Sequence, residues 1–372
     1  MRWTKTCYGE VLRHSSWFAI LKIALPCCLL PTVVFIVLER KRVAQTSKDI
    51  AAILTMISCR NADADTVIAT GSCSRLLGMG EEYVDGEGAR QWRPRGCSVQ
   101  TYWPNLSLMS RCISEVFPGS KEKSRSLIVF MGDSRLRQLQ EKLYWLITGT
   151  DFHTHDAVQG SPVAQPEPVM CDPPAQPHED NWKRGQCNLT MIHPTVPITI
   201  KRVWDPMLDA SLAQNHLNRL INRVTTKTLP KLLVLNSGAW LLKHCYDSGI
   251  SLEACTKTYT KIILDIRPAL KRLSALTTVI WMPQTAVDRR FATLFLTASQ
   301  NGAIPVFNQI AACLLAETSV LFWWSSQQVY EYFADSHDGL HQGAKTLFTN
   351  AQMLINVMCN AAVGSNSSAC CV

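Results

Sequence analysis

Three short stretches of this chain hold residue types that together could activate a serine hydroxyl: Gly132-Asp-Ser134, Asn236-Ser-Gly238 and Asp338-Gly-Leu-His341. A serine hydroxyl is a weak nucleophile, so it needs a base within hydrogen-bond reach and a third group to orient that base. His341 supplies the base, and Asp338, three residues earlier, can hold its far ring nitrogen. His337 and Asp335 form a rival pairing in the same stretch. An oxyanion formed beside Ser134 would be met by the Ser134 amide, joined by Asn236 or a neighbouring amide such as that of Gly238. Asp133 reads as a structural carboxylate at a helix start. Arg135 and Arg137 are cations at a helix N-terminus, where they oppose the macrodipole, so their place beside the nucleophile suits an anionic substrate. His153-Thr-His155-Asp156 offers metal-ligand types, but no third ligand is spaced to complete a site, and no metal is expected.

Leu127 to Met131 is an unbroken apolar run suited to a strand buried on both faces, and Gly132 permits a sharp turn. From Leu136 the period becomes helical: Leu136, Leu139, Leu143 and Leu146 fall on one stripe, leaving Arg135, Arg137 and Gln138 free. Ser134 thus lies where a strand becomes a helix. Further strands are expected at Ile198–Trp204, Leu232–Leu235, Thr278–Trp281 and Ile304–Phe307. Helices are expected at Leu208–Thr226, Tyr259–Leu273, Asn308–Ser319 and Ala344–Met358. Alternating strands and helices imply an α/β/α sandwich with a mainly parallel sheet, flavodoxin-like, in which ligands bind outside the carboxyl ends of the strands. Cys73 to Cys112 reads as an irregular capping region, and the proline-rich Asp151 to Pro197 as a long surface insertion.

The 372 residues are 47% apolar and 18% charged, which suits a globular chain. Of the net charge of +8, residues 1–48 carry +6, from eight Lys/Arg against two Glu, so a nucleic-acid role has little support. That basicity flanks Trp17 to Leu38, an apolar stretch giving roughly 33 Å of helix, enough for a bilayer core of about 30 Å. The organisation expected is a cytoplasmic tail (1–16), one transmembrane anchor (17–38), a stem (39–68), a catalytic domain (69–362) and a C-terminal tail (363–372). Twelve of the 15 cysteines lie beyond the anchor, an even number consistent with disulfides in an oxidising lumen. Sequons at Asn105, Asn188 and Asn366 agree with that side of the membrane.

The Gly132-Asp-Ser-Arg-Leu-Arg-Gln-Leu139 and Asp338-Gly-Leu-His341 blocks resemble the SGNH/PC-esterase superfamily, and within it the lumenal domain of the sialate O-acetyltransferase family. Ser72–Leu77, Trp92-Arg-Pro94, Gly96-Cys97, Gly238-Ala-Trp240, Trp281 with Gln284, and Cys359-Asn360 extend the resemblance from about residue 70 to the C-terminus. It implies Ser134, Asp338 and His341 as the triad; Arg135, Arg137 and Trp240 are expected to contact substrate. It further implies acetyl-CoA as ultimate acetyl donor, with no bound cofactor, and a CMP-activated or glycan-linked sialic acid as acceptor, in the Golgi lumen. The family continues into a polytopic membrane domain thought to supply acetyl groups. Here no second stretch of about 18 apolar residues is found, so a separate membrane protein could serve as that supplier. The same triad with water as acceptor would be an O-acetylesterase, and a fold without turnover would be a glycan-binding ectodomain.

Overall fold

A computed structural model describes residues 72–88, 90–102, 106–116, 126–149, 170–172, 188–192, 196, 198–222, 229–287 and 298–363. The expected cytoplasmic tail, anchor and stem, residues 364–372 of the expected C-terminal tail, the sequons at Asn105 and Asn366, and His153–Asp156 lie outside them. Among the described residues no helix is long and apolar enough to cross a membrane.

The described chain opens with a short helix, α1 (Ser72–Leu77), an antiparallel hairpin, β1 (Gly80–Val84) and β2 (Arg90–Pro94), and a helix, α2 (Leu106–Val116). The region expected to be irregular is therefore partly regular. Next come β3 (Ser126–Gly132) and α3 (Ser134–Thr148), then β4 (Met170–Asp172), β5 (Asn188–Ile192), β6 (Ile198–Trp204), α4 (Ala210–Asn222) and β7 (Pro230–Leu235). Helices α5 (Ala239–Asp247) and α6 (Leu252–Ser274) lead to β8 (Thr278–Trp281). The order closes with α7 (Ala298–Leu315), β9 (Leu321–Phe322), α8 (Ser325–Phe333) and α9 (Ala344–Val363).

One sheet runs in the order β4-β5-β6-β3-β7-β8-β9. Strands β6, β3, β7, β8 and β9 are parallel, and β5 and β4 extend the sheet antiparallel beyond β6. The apolar run in β3 has its cause in this central place. Ile128 and Phe130 join a core with Leu136, Leu139 and Leu143 of α3 and Leu354 of α9, while Val129 and Met131 look to the other face, toward Leu220 of α4. Helices cover both faces, as the sandwich reading requires.

The leucine stripe of α3 is 0–1% exposed, each side chain contributing about 2 kcal/mol on burial. Helix α9 departs from a one-sided pattern: Asn350 to Cys359 are all buried, because α1, α2, α3 and α8 pack around it. A Cys112–Cys359 disulfide ties it to α2, a Cys245–Cys255 bridge ties α5 to α6, and Cys73, Cys97 and Cys313 are also disulfide-bonded.

Two expectations are corrected. Ile304-Pro-Val-Phe307 is not a strand but part of α7, where Ala303, Ile304, Phe307, Ile310 and Ala311 recur at helical spacing and Pro305 faces outward; Leu321–Phe322 takes the edge instead. The 151–197 stretch is not wholly irregular, since Leu189 and Met191 alternate inward along β5.

Candidate active site

Strand β3 delivers Ser134 through a turn that admits only glycine. Gly132 has φ +155°, and a Cβ there would lie 1.9 Å from Asn236 Oδ1. Asp133 then caps α3, its Oδ1 accepting from the Arg135 amide at 2.9 Å. Asn236, at the end of β7, clamps this residue from both sides. Its Oδ1 accepts from the Asp133 amide at 3.1 Å and its Nδ2 donates to Asp133 Oδ1 at 2.9 Å. Gln284 Nε2 donates to Asp133 Oδ2 at 2.8 Å. The carboxylate is buried and fully occupied, the structural role anticipated for it.

The second half comes from the loop between α8 and α9. Asp335 caps α9, accepting from the Lys345 amide at 2.7 Å and from Thr346 Oγ1 at 2.6 Å, so the rival Asp335–His337 pairing does not form. Tyr330 Oη holds the other side of the loop by donating to the Gly339 carbonyl at 3.0 Å. Asp338 Oδ1 accepts from the amides of Leu340 at 2.9 Å and His341 at 2.8 Å. Its Oδ2 lies 2.5 Å from His341 Nδ1, and His341 Nε2 lies 2.8 Å from Ser134 Oγ.

The ionised Asp338 carboxylate selects the tautomer of the ring. Burial pushes the Asp338 carboxyl up, but the His341 amide, the His341 ring and the Leu340 amide outweigh it and hold it down at about 2. An ionised carboxylate only accepts, so Nδ1 carries the imidazole proton and Nε2 is left to accept from the Ser134 hydroxyl. The arrangement can withdraw the Ser134 proton as Oγ attacks an electrophile. As the first residue of α3, Ser134 has an amide with no intrahelical acceptor, and so does Gly238 at the cap of α5.

One expected role is kept and one is corrected here. Asn236 Nδ2 spends one of its two N–H groups on Asp133 Oδ1 and has a second, so it stays with the Ser134 and Gly238 amides as an oxyanion candidate. Arg135 is not free: it is 2% exposed, with Nε donating to the Leu340 carbonyl at 2.9 Å and Nη1 to Gln284 Oε1 at 2.7 Å and the Thr285 carbonyl at 2.8 Å. It therefore ties the nucleophile's helix to the residue beside His341. Arg137 is half-buried and near enough to Arg202 to help lower that residue, whose burial is the larger cause of its fall to about 10. Asn188 lies in β5, its Oδ1 accepting from the Trp204 amide at 2.9 Å.

Gln284 carried weight beforehand only through the resemblance, and Trp204 and Asp205 none. All three follow the carboxyl end of a parallel strand or close it, which is the signal that could have found them. The Gln284 loop is pinned by Asn308, which accepts from the Gln284 amide at 2.9 Å and donates to its carbonyl at 2.8 Å. Trp240, on α5, meets Trp204 edge to face with centroids 6.4 Å apart, at the end of the strand paired with Gly132. Asp205 donates its amide to the Gly132 carbonyl at 3.2 Å; burial is the chief cause that pushes its carboxyl up to about 6.

Among the described residues no group of three or more His, Cys, Asp or Glu could hold a metal. No family model matches the chain. Solved structures with likeness include a peptidoglycan O-acetylesterase (12% identity, 68% of this chain and 95% of that one, TM-score 0.36). Another is an acetylxylan esterase from Geobacillus stearothermophilus (13% identity, 63% of this chain and 95% of that one, TM-score 0.33). Over 324 residues, 86% of its length, the chain is similar, at 22% identity, to a curated N-acetylneuraminate (7)9-O-acetyltransferase of Danio rerio, of which it spans 35%.

Proposed function

We propose that this chain is a serine-dependent O-acetyltransferase that moves an acetyl group to a hydroxyl of sialic acid, CMP-activated or glycan-linked. The observation that carries the reading is the unbroken Asp338–His341–Ser134 chain of contacts, 2.5 and 2.8 Å long, on the first residue after a central strand. The similarity to an N-acetylneuraminate (7)9-O-acetyltransferase supports the choice of group and acceptor.

In the first step Ser134 Oγ attacks the acetyl carbonyl carbon while His341 Nε2 takes its proton. The leaving group departs with that proton, leaving acetyl-Ser134. In the second, a sugar hydroxyl gives its proton to the same nitrogen and attacks the acetyl carbon, and Ser134 Oγ leaves with the proton. The amides of Ser134 and Gly238, with the second N–H of Asn236 Nδ2, would meet the oxyanion at each stage. Acetyl-CoA is the ultimate donor in this reading, reaching the enzyme directly or through a separate membrane protein. The chain would be held by its N-terminal anchor with this domain in the Golgi lumen; its disulfides suit such a compartment.

An O-acetylesterase is the second reading. It is favoured by solvent access, since the His341 and Asp338 side chains are 27% and 53% exposed and water can reach the acetyl-serine. The test is mass spectrometry of the full chain and its Ser134→Ala variant with acetyl-CoA and CMP-sialic acid. Acetylated sugar from the unmutated chain alone supports the transferase. Donor-independent deacetylation of an acetylated sialic acid supports the esterase, and transfer undiminished in Ser134→Ala overturns both.

A further inference from the structure

Ser134, Arg137 and Glu141 follow one another along α3 at spacings of three and four, on the face turned to Arg202 of β6. Arg202 stands between Phe130 and Leu189 in the sheet, beneath α3, and is 3% exposed. Its Nη1 lies 3.5 Å from Glu141 Oε1. A buried guanidinium needs a counter-charge, and Glu141 supplies it. Burial is the chief cause that lowers Arg202 to about 10; Glu141 raises it and Arg137 lowers it further, so the three groups share one electrostatic cluster.

Arg137 is left over in that cluster. Its side chain makes no hydrogen bond or ion pair among the described residues, although Glu141 follows it by one turn, at the spacing where such pairs form. The cause is Arg202, which takes that carboxylate. Nε of Arg137 is enclosed, but the residue is only half-buried, and its two terminal nitrogens, which could meet a carboxylate as a fork, are not enclosed. Helical side chains lean toward the helix N-terminus, so this guanidinium leans over the turn that begins at Ser134. Arg137 and Arg202 bring two positive charges against the single negative charge of Glu141, which leaves the cluster one anion short beside the nucleophile.

We propose that the missing anion is the carboxylate of an acidic acceptor sugar, bound by Arg137, and that Arg202 keeps Arg137 open to it by holding Glu141. Arg137 is then a substrate-binding residue, whereas Arg202 and Glu141 act through it as positioning residues. A carboxylate is preferred to a phosphate because it belongs to the sugar whether that sugar is CMP-activated or glycan-linked. The inference rests on the reading of the acceptor as sialic acid, and adds to it the residue that discriminates against a neutral sugar.

The test uses the full chain in detergent carrying Ser134→Ala, so that nothing turns over, titrated with N-acetylneuraminic acid, its methyl ester and CMP and read by ligand-observed NMR. Arg137→Gln should weaken binding of the acid roughly tenfold or more, the scale of a charge-assisted pair, and leave the ester unchanged; Arg137→Lys should keep part of the preference. Arg202→Met frees Glu141 to cover Arg137 and should weaken the acid in the same way. Adding Glu141→Gln to Arg202→Met should restore it, which the loss of a merely structural ion pair would not do. Cooperative thermal unfolding of each variant shows that it has folded. Equal affinity for acid and ester, no binding of either at millimolar concentration, an effect of Arg137→Gln on CMP alone, or no recovery in the double variant would overturn the proposal. Binding is read apart from transfer: acid-selective binding without acetyl transfer leaves this inference standing, and transfer without acid selectivity leaves only the proposed activity.

Discussion

Replacing Arg135 by methionine keeps the stem of the side chain and removes a guanidinium that holds three acceptors drawn from two loops. The Leu340 and Thr285 carbonyls and Gln284 Oε1 lose their donor. The buried Asp133 carboxylate loses a compensating cation, an attraction that works against the lowering of the Arg135 pKa, which burial dominates. Stranding one partner of a buried charge pair costs about 3–5 kcal/mol, and each stranded acceptor about 1–3 kcal/mol, partly the same energy. A loss of about 4 kcal/mol in unfolding free energy is expected for Arg135→Met, read by urea denaturation. Arg135→Lys, which keeps the charge but not the planar fork, should fall between. Because Leu340 precedes His341, a shift of about 1 Å in the loop should also lower kcat on p-nitrophenyl acetate about 100-fold. KM should change little, since the guanidinium is buried and its hydrogen bonds go to the protein. A variant losing under 1 kcal/mol with kcat intact, or one altered only in KM, would refute this reasoning and return Arg135 to substrate binding.

Gly132→Ala puts a methyl group into Asn236 Oδ1 at a left-handed φ, so activity should drop at least 100-fold while Ala at exposed Gly86, whose added Cβ would meet nothing within 4 Å, is tolerated; equal activities would contradict the close approach. Asp205, raised to about 6 against about 3.9 when unfolded, makes the folded state bind the extra proton between those values. Stability then falls as pH rises from about 4 through about 6, by at most ~3 kcal/mol. Asp205→Asn should match the parent at pH 4 and exceed it at pH 8 in denaturant unfolding, and an equal difference at both pH values would count against it. Removing the Cys112–Cys359 bridge, which spans 247 residues, should cost about 5 kcal/mol, and removing Cys245–Cys255, which spans 10, about 3 kcal/mol; calorimetry showing the reverse order would oppose the chain-entropy account.

The strand-to-helix step at Ser134 was legible because its signals are local: five apolar residues, a glycine, then leucines three and four apart. The Asp338–His341 pair was legible for the same reason, one short loop ahead of an apolar helix. Arg135 was not. Its acceptors lie 149, 150 and 205 residues away, and a helical stripe assigns a first-turn arginine to solvent unless those loops are known. Asn236 was placed at the right edge, but its clamp on Asp133 was not foreseen, since sequence shows that two loops meet and not which atoms do. Ile304-Pro-Val-Phe307 reads as a strand over four residues and as a helix only over the longer window from Ala303 to Leu315.

The most direct test of the central claim is trapping the acyl-enzyme. The full chain would be mixed with p-nitrophenyl acetate, quenched in acid within milliseconds to seconds, digested and mapped by mass spectrometry beside the His341→Ala variant. The account predicts acetyl on the peptide bearing Ser134, at the Ser134 hydroxyl itself, forming in a burst and at least 1,000-fold more slowly without His341. Steady turnover with acetyl on another residue, or on none, with Ser134→Ala as active as the parent, would contradict it.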